Sequence, residues 1–112
     1  MNMVRGYLAR RIYTSPVSWR RNAILSVNGE DGTFSIVDFD GVEPPATTFV
    51  DGVILPFEPV VTDIVPLERL LLSQFPVGEF TPSHYWLLDF PGIFSGAMVP
   101  TDSGLVKIVR LC

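Results

Sequence analysis

Ser83, His84 and Asp89 supply the three residue types of a nucleophilic triad within one short stretch. Such chemistry needs the serine hydroxyl within hydrogen-bond reach of the imidazole, with a carboxylate behind it. Sequence neighbours on a strand point to opposite faces, so Ser83 and His84 are badly placed to share a proton. A nucleophile elbow is missing too, because Gly92-Ile93-Phe94-Ser95-Gly96 has the wrong spacing for Gly-x-Ser-x-Gly. Asp38, Asp40 and Asp51 flank turns, where aspartates serve as local hydrogen-bond acceptors. No glycine-rich phosphate loop precedes a helix. His84 is the sole histidine and Cys112 the sole cysteine, which excludes an internal disulfide and any multi-cysteine zinc site. His84, just ahead of Tyr85-Trp86, reads as bordering a core or an interface. The expectation is a protein without catalytic residues, metal or cofactor.

The elements that would carry any site are short. A chain of 112 residues suits a single domain spanning 1–112. Ten prolines and nine glycines cut it into pieces, which favours strands and turns over long helices. Residues 4–14 read as a strand closed by Ser15-Pro16. Residues 22–27 read as a second, with Ala23, Leu25 and Val27 on one face. Asn28-Gly29-Glu30-Asp31-Gly32 is a turn, and residues 33–39 return with Phe34 and Ile36 sharing a face. Asp40-Gly41 and Pro44-Pro45 mark a surface loop, followed by short β pieces at 47–50 and 53–55. Leu67, Leu70 and Leu71 at i, i+3, i+4 predict one helix over about 64–75, with Asp63 as its cap and Pro66 in its first turn. Residues 84–88 and 105–111 read as closing strands. The fold class expected is all-β, a small sandwich or partly open barrel of antiparallel strands with one short helix.

Composition adds a bias about surfaces. The chain is 47% hydrophobic but only 18% charged, below the usual quarter or so. A small domain has much surface to cover, so some apolar surface is expected to meet another chain. The net charge of −4 is unevenly spread, since Arg5, Arg10, Arg11, Arg20 and Arg21 precede the first acidic residue. The five arginines read as solvated strand positions, and the acidic whole argues against a nucleic-acid partner. No apolar run approaches the ~18 residues of a membrane span and no secretory leader is evident, so the expected setting is cytoplasmic.

The order of the pieces resembles the small β-sandwich that flanks the barrel of the amidohydrolase superfamily. Tyr7-Leu8-Ala9-Arg10-Arg11-Ile12-Tyr13-Thr14 is similar to that domain's opening strand, and Asn22-Ala23-Ile24-Leu25-Ser26-Val27 to its second. Phe49-Val50-Asp51-Gly52-Val53-Ile54-Leu55-Pro56 resembles the strand that hands over to the barrel. Leu67 to Phe75 looks like the exit helix, Tyr85-Trp86-Leu87-Leu88 like the returning strand, and Met98 to Leu111 like the final pair. Where the family carries a His-x-His metal pair, this chain reads Phe57-Glu58-Pro59-Val60-Val61-Thr62-Asp63. A barrel needs ~250 residues, so the resemblance implies a flanking sandwich (4–56 and 83–112) spliced through 57–82 with the barrel absent.

Phe57, Phe75, Phe80, Phe90 and Phe94 cluster around that splice and after the closing strand. They either fill the sandwich core or form an interface where the barrel would have rested; the low charge content favours the interface. The function expected is therefore a non-catalytic interaction or structural module, forming a homo-oligomer or docking on a protein partner. A small-molecule binding protein is the alternative, as is a structural subunit of a hydrolase whose barrel lies on another chain.

Overall fold

The computed structural model describes residues 4–41 and 46–112; the Pro44-Pro45 part of the expected loop lies outside the described residues. Strands β1 (Val4–Ser15) and β2 (Ser18–Asn28) make a long antiparallel hairpin. Pro16 and Val17 form its turn, so Ser15-Pro16 ends β1, but pairing resumes at once with Ser15 opposite Ser18. The pairing of Tyr13 with Trp19 makes β2 four residues longer at its start than the sequence suggests.

The next turn is held by its own side chains. The Asn28 side-chain oxygen accepts the Glu30 N–H at 2.9 Å. The Asp31 carboxylate accepts both the backbone N–H of Thr33 (3.0 Å) and its hydroxyl (2.7 Å). Those two bonds, the backbone one first, hold the Asp31 carboxyl below its ordinary range. β3 (Phe34–Asp38) then pairs antiparallel to β2, with Phe34 opposite Val27 and Ile36 opposite Leu25.

β4 (Thr47–Phe49) and β5 (Val53–Leu55) lie one after the other along the free side of β1, both parallel to it. β6 (Trp86–Asp89) pairs antiparallel to β5, and β7 (Lys107–Arg110) antiparallel to β6. The sheet runs β3-β2-β1-β5-β6-β7, with β4 beside β1. It is therefore mixed, where wholly antiparallel strands were expected. The chain leaves β3 and crosses back to β1 in β1's own direction, which a hairpin cannot do.

The sheet curls without closing. Phe34 on β3 meets the Tyr85 ring just before β6 with centroids 5.0 Å apart. The Tyr7 hydroxyl donates to the Leu111 carbonyl at 2.9 Å. Strands far apart in the sheet thus touch across the inside of the curl. Ala9, Ile12, Ala23, Leu25, Ile54 and Tyr85 fill this inner cluster.

The outer surface is covered only in part. α1 (Leu67–Gln74) lies on it, burying Leu67, Leu70 and Leu71 among Val53, Leu55, Leu88 and Val99. Fully burying each of these side chains is worth about 1.5–3 kcal/mol. The leucine spacing is the one read from the sequence, but the cap is not Asp63. Pro66 is the N-cap residue, with extended dihedrals and no side-chain cap bond. A proline disfavours helix at the residue before it. Here Val65 lies outside the helix, and its carbonyl accepts the Val99 N–H at 2.8 Å. The segment before α1 is clamped to Gln74, whose side chain bonds both the N–H and the carbonyl of Val60.

Candidate binding site

The site begins with a break in the rhythm of β1. A regular strand alternates its faces, so residues three apart point opposite ways. Ala9 and Ile12 are three apart, yet both are buried in the inner cluster. Arg10 and Arg11 between them are both left on the outer side. Tyr13 follows outward too, into the cluster under α1.

Two irregularities flank this point. Asn22, in the gap between the Ala9–Ala23 and Arg11–Arg21 pairs, has a left-handed backbone with φ of 45°. On the other side Leu8 pairs with Phe49 and Arg11 with Val53, so Val50, Asp51 and Gly52 bulge opposite Ala9 and Arg10. Bulges sharpen local twist and re-aim side chains. Asn is among the few non-glycine residues that tolerate a left-handed backbone.

Both guanidinium groups reach the same ring. Arg10 lies 5.1 Å and Arg11 5.4 Å from the centroid of Phe94. Arg11 also covers Trp19 at 4.7 Å and donates to the Tyr13 hydroxyl at 3.2 Å. Trp19 in turn meets Tyr13, with centroids 5.3 Å apart. Each cation–π contact of this kind is worth about 0.5–1 kcal/mol at an exposed site. Among the described residues the ion pair formed is Arg20 with Asp38, and no carboxylate lies within ion-pair distance of Arg10 or Arg11.

Two concavities share Phe94 in their lining. One, of about 440 Å³, is lined by Arg10, Asp51, Asp89, Phe90, Ile93 and Phe94. The other, of about 250 Å³, is lined by Arg11, Tyr13, Leu67, Glu68, Ile93 and Phe94. Gly52 and Gly92 belong to the first, and neither has room for a side chain: a Cβ on Gly92 would lie 2.7 Å from that of Ala97. The arrangement offers charged, directional donors beside an apolar wall.

The five phenylalanines singled out from the sequence do not form one surface. Phe57, Phe75 and Phe80 stack edge-on in a row, with centroids 5.0 and 6.5 Å apart. Phe75 and Phe90 are buried in the cluster under α1, Phe57 and Phe94 pack half-buried against it, and Phe80 is exposed. Phe94 alone stands with the arginines. Ser83 and His84 are exposed, and His84 Nδ1 lies 3.1 Å from the Cys112 carbonyl oxygen, whereas Asp89 borders the Arg10 concavity. Asp38 is engaged by Arg20. Among the described residues no three His, Cys, Asp or Glu side chains gather as metal ligands, and no helix is long and apolar enough to cross a membrane.

The arginine pair was not visible in the sequence as a unit, because strict alternation places adjacent strand residues on opposite faces. The sole local signal is Asn22, which sits opposite Arg10. No protein-family model matches the chain, and neither a curated protein nor a solved structure matches it.

Proposed function

We propose that this chain is a non-catalytic interaction module that pairs with a second copy of itself through the open part of its outer sheet face. The observation that carries this is a row of apolar residues crossing four strands. Val37, Ile24, Leu8 and Phe49 are successive cross-strand partners on β3, β2, β1 and β4. α1 covers the outer face only further along, over β5 and β6. Ile24 is buried, Leu8 half-buried, and Val37 and Phe49 are 45% and 52% exposed. Val4, on the same side of β1, is exposed as well.

Sheets cover such faces by stacking on a second sheet about 10 Å away. A second copy supplies a sheet of the same width and the same apolar row, so a two-fold axis matches them without further elements. The relation to the amidohydrolase flanking sandwich is part of this proposal. What supports it is the direct pairing of β5 with β6, which joins the N-terminal and C-terminal strands into one sheet. A cytoplasmic setting is proposed with it, in keeping with the single cysteine.

Light scattering on a sizing column over a concentration series tests the self-association. The expected mass is twice the 12.4 kDa of one chain. Replacing Val37 and Phe49 together by lysine returns the mass to one chain. A wild-type protein that stays monomeric at every concentration overturns the proposal.

A further inference from the structure

We infer that Arg10 and Arg11, gathered on Phe94, form a binding site for an organic carboxylate borne on an apolar or aromatic group. The site lies on the outer side of β1, two residues past Leu8.

Charge is the first argument. Two guanidinium groups each sit close to one phenyl ring, although like charges repel and a single arginine would suffice to pack it. Each guanidinium has five N–H donors in a planar fork, and among the described residues the one bond these make to a side chain is from Arg11 to Tyr13. The chain carries twelve acidic residues, yet among those described none ion-pairs with either arginine. Two forks with free edges, held in place by aromatic faces, match the bidentate geometry of a carboxylate.

Geometry is the second. Strand alternation would separate these side chains, and they converge because β1 is distorted on both sides, by Asn22 and by the Val50–Gly52 bulge. The two concavities share Ile93 and Phe94 as their common wall. An apolar or ring group can lie along that wall while its carboxylate meets a guanidinium.

The surrounding charges narrow the ligand class. Asp51 and Asp89 border the Arg10 side and Glu68 the Arg11 side. Two cations among three carboxylates create no broad positive field, which disfavours polyphosphates and nucleic-acid backbones. A single carboxylate at hydrogen-bond range is held by short directed bonds that the rim does not cancel.

The test is an NMR titration of the full chain with 3-phenylpropionate, its uncharged amide, and inorganic phosphate. Saturable shifts of the Trp19 indole N–H and of the Arg10 and Arg11 Nε–H signals are expected with the carboxylate. The amide and phosphate should each bind at least about tenfold more weakly. Absence of saturation up to about 10 mM overturns the site, and equal binding of amide or phosphate overturns the ligand class. Arg10→Gln and Arg11→Gln should each weaken binding by about tenfold or more, with Lys at either position recovering part of it. Undiminished binding to folded Gln variants overturns the assignment; if these fail to fold, the amide comparison on the wild-type chain decides.

Discussion

Gly52 lies so close to β6 that a Cβ on it would overlap the carbonyl oxygen of Leu88. Its φ of 104° is also one that other residues rarely adopt. Both constraints arise because Gly52 ends the bulge opposite Arg10 while β5 begins at once beside β6. Gly52→Ala should therefore cost about 3 kcal/mol or more, or prevent folding, since a backbone clash adds to backbone strain. Gly78→Ala is the contrast. Gly78 has φ of 82°, but a Cβ there would meet nothing within 4 Å, so its cost should be about 1 kcal/mol. Urea denaturation of the two variants compares the losses. Equal losses would mean that the Leu88 contact relaxes away.

A second prediction concerns Thr47, which pairs with Gly6 on the open outer face. Its hydroxyl is buried and, among the described residues, has no hydrogen-bond partner. An unsatisfied buried hydroxyl costs about 1–3 kcal/mol, and valine has the same shape without it. Valine also suits a strand well. Thr47→Val should raise stability by about 1 kcal/mol, read as a higher urea midpoint at unchanged slope. A lower midpoint would show that the hydroxyl is engaged.

Adjacent leucines on α1 should behave very differently. Leu71 is fully enclosed among Val53, Leu55 and Leu88, whereas Leu72 is 62% exposed. Leu71→Ala removes packed methyl groups and should cost about 2–5 kcal/mol. Leu72→Ala should change stability by no more than about 0.5 kcal/mol. Thermal and urea unfolding of both variants tests whether α1 is seated as described.

The contrast between the legible and the hidden parts of this molecule follows from range. The Asn28–Gly32 turn and the Phe34–Ile36 face could be read because a turn and a two-residue period are local signals. Leu67, Leu70 and Leu71 were legible for the same reason. The direction of β4 and β5 was not, since parallel pairing with β1 is decided by how a distant segment returns. The arginine site was hidden more deeply. It depends on Asn22, on a bulge at Val50–Gly52, and on Phe94, which come together only when β2, β5 and the turn after β6 all meet β1.

Alkaline pH should loosen the curl from inside. Burial first, and then the nearby Cys112, pushes the Tyr85 hydroxyl above its ordinary value of 10.0. Burial likewise pushes the Cys112 thiol above 9.0, outweighing the opposing influences of Tyr85 and Arg110. Both groups hold their protons longer in the folded chain than in the unfolded one. Where the unfolded chain has released a proton that the native chain still binds, stability falls with rising pH. The contribution is thus complete below pH 9.0 and is lost as pH climbs through the ordinary values toward the raised ones. Urea midpoints should be flat across neutral pH and decline above it. Tyr85→Phe keeps the ring against Phe34 and removes one of the two protons, so its decline should be shallower. An equally steep decline in that variant would mean that Tyr85 ionises as freely in the folded chain as in the unfolded one.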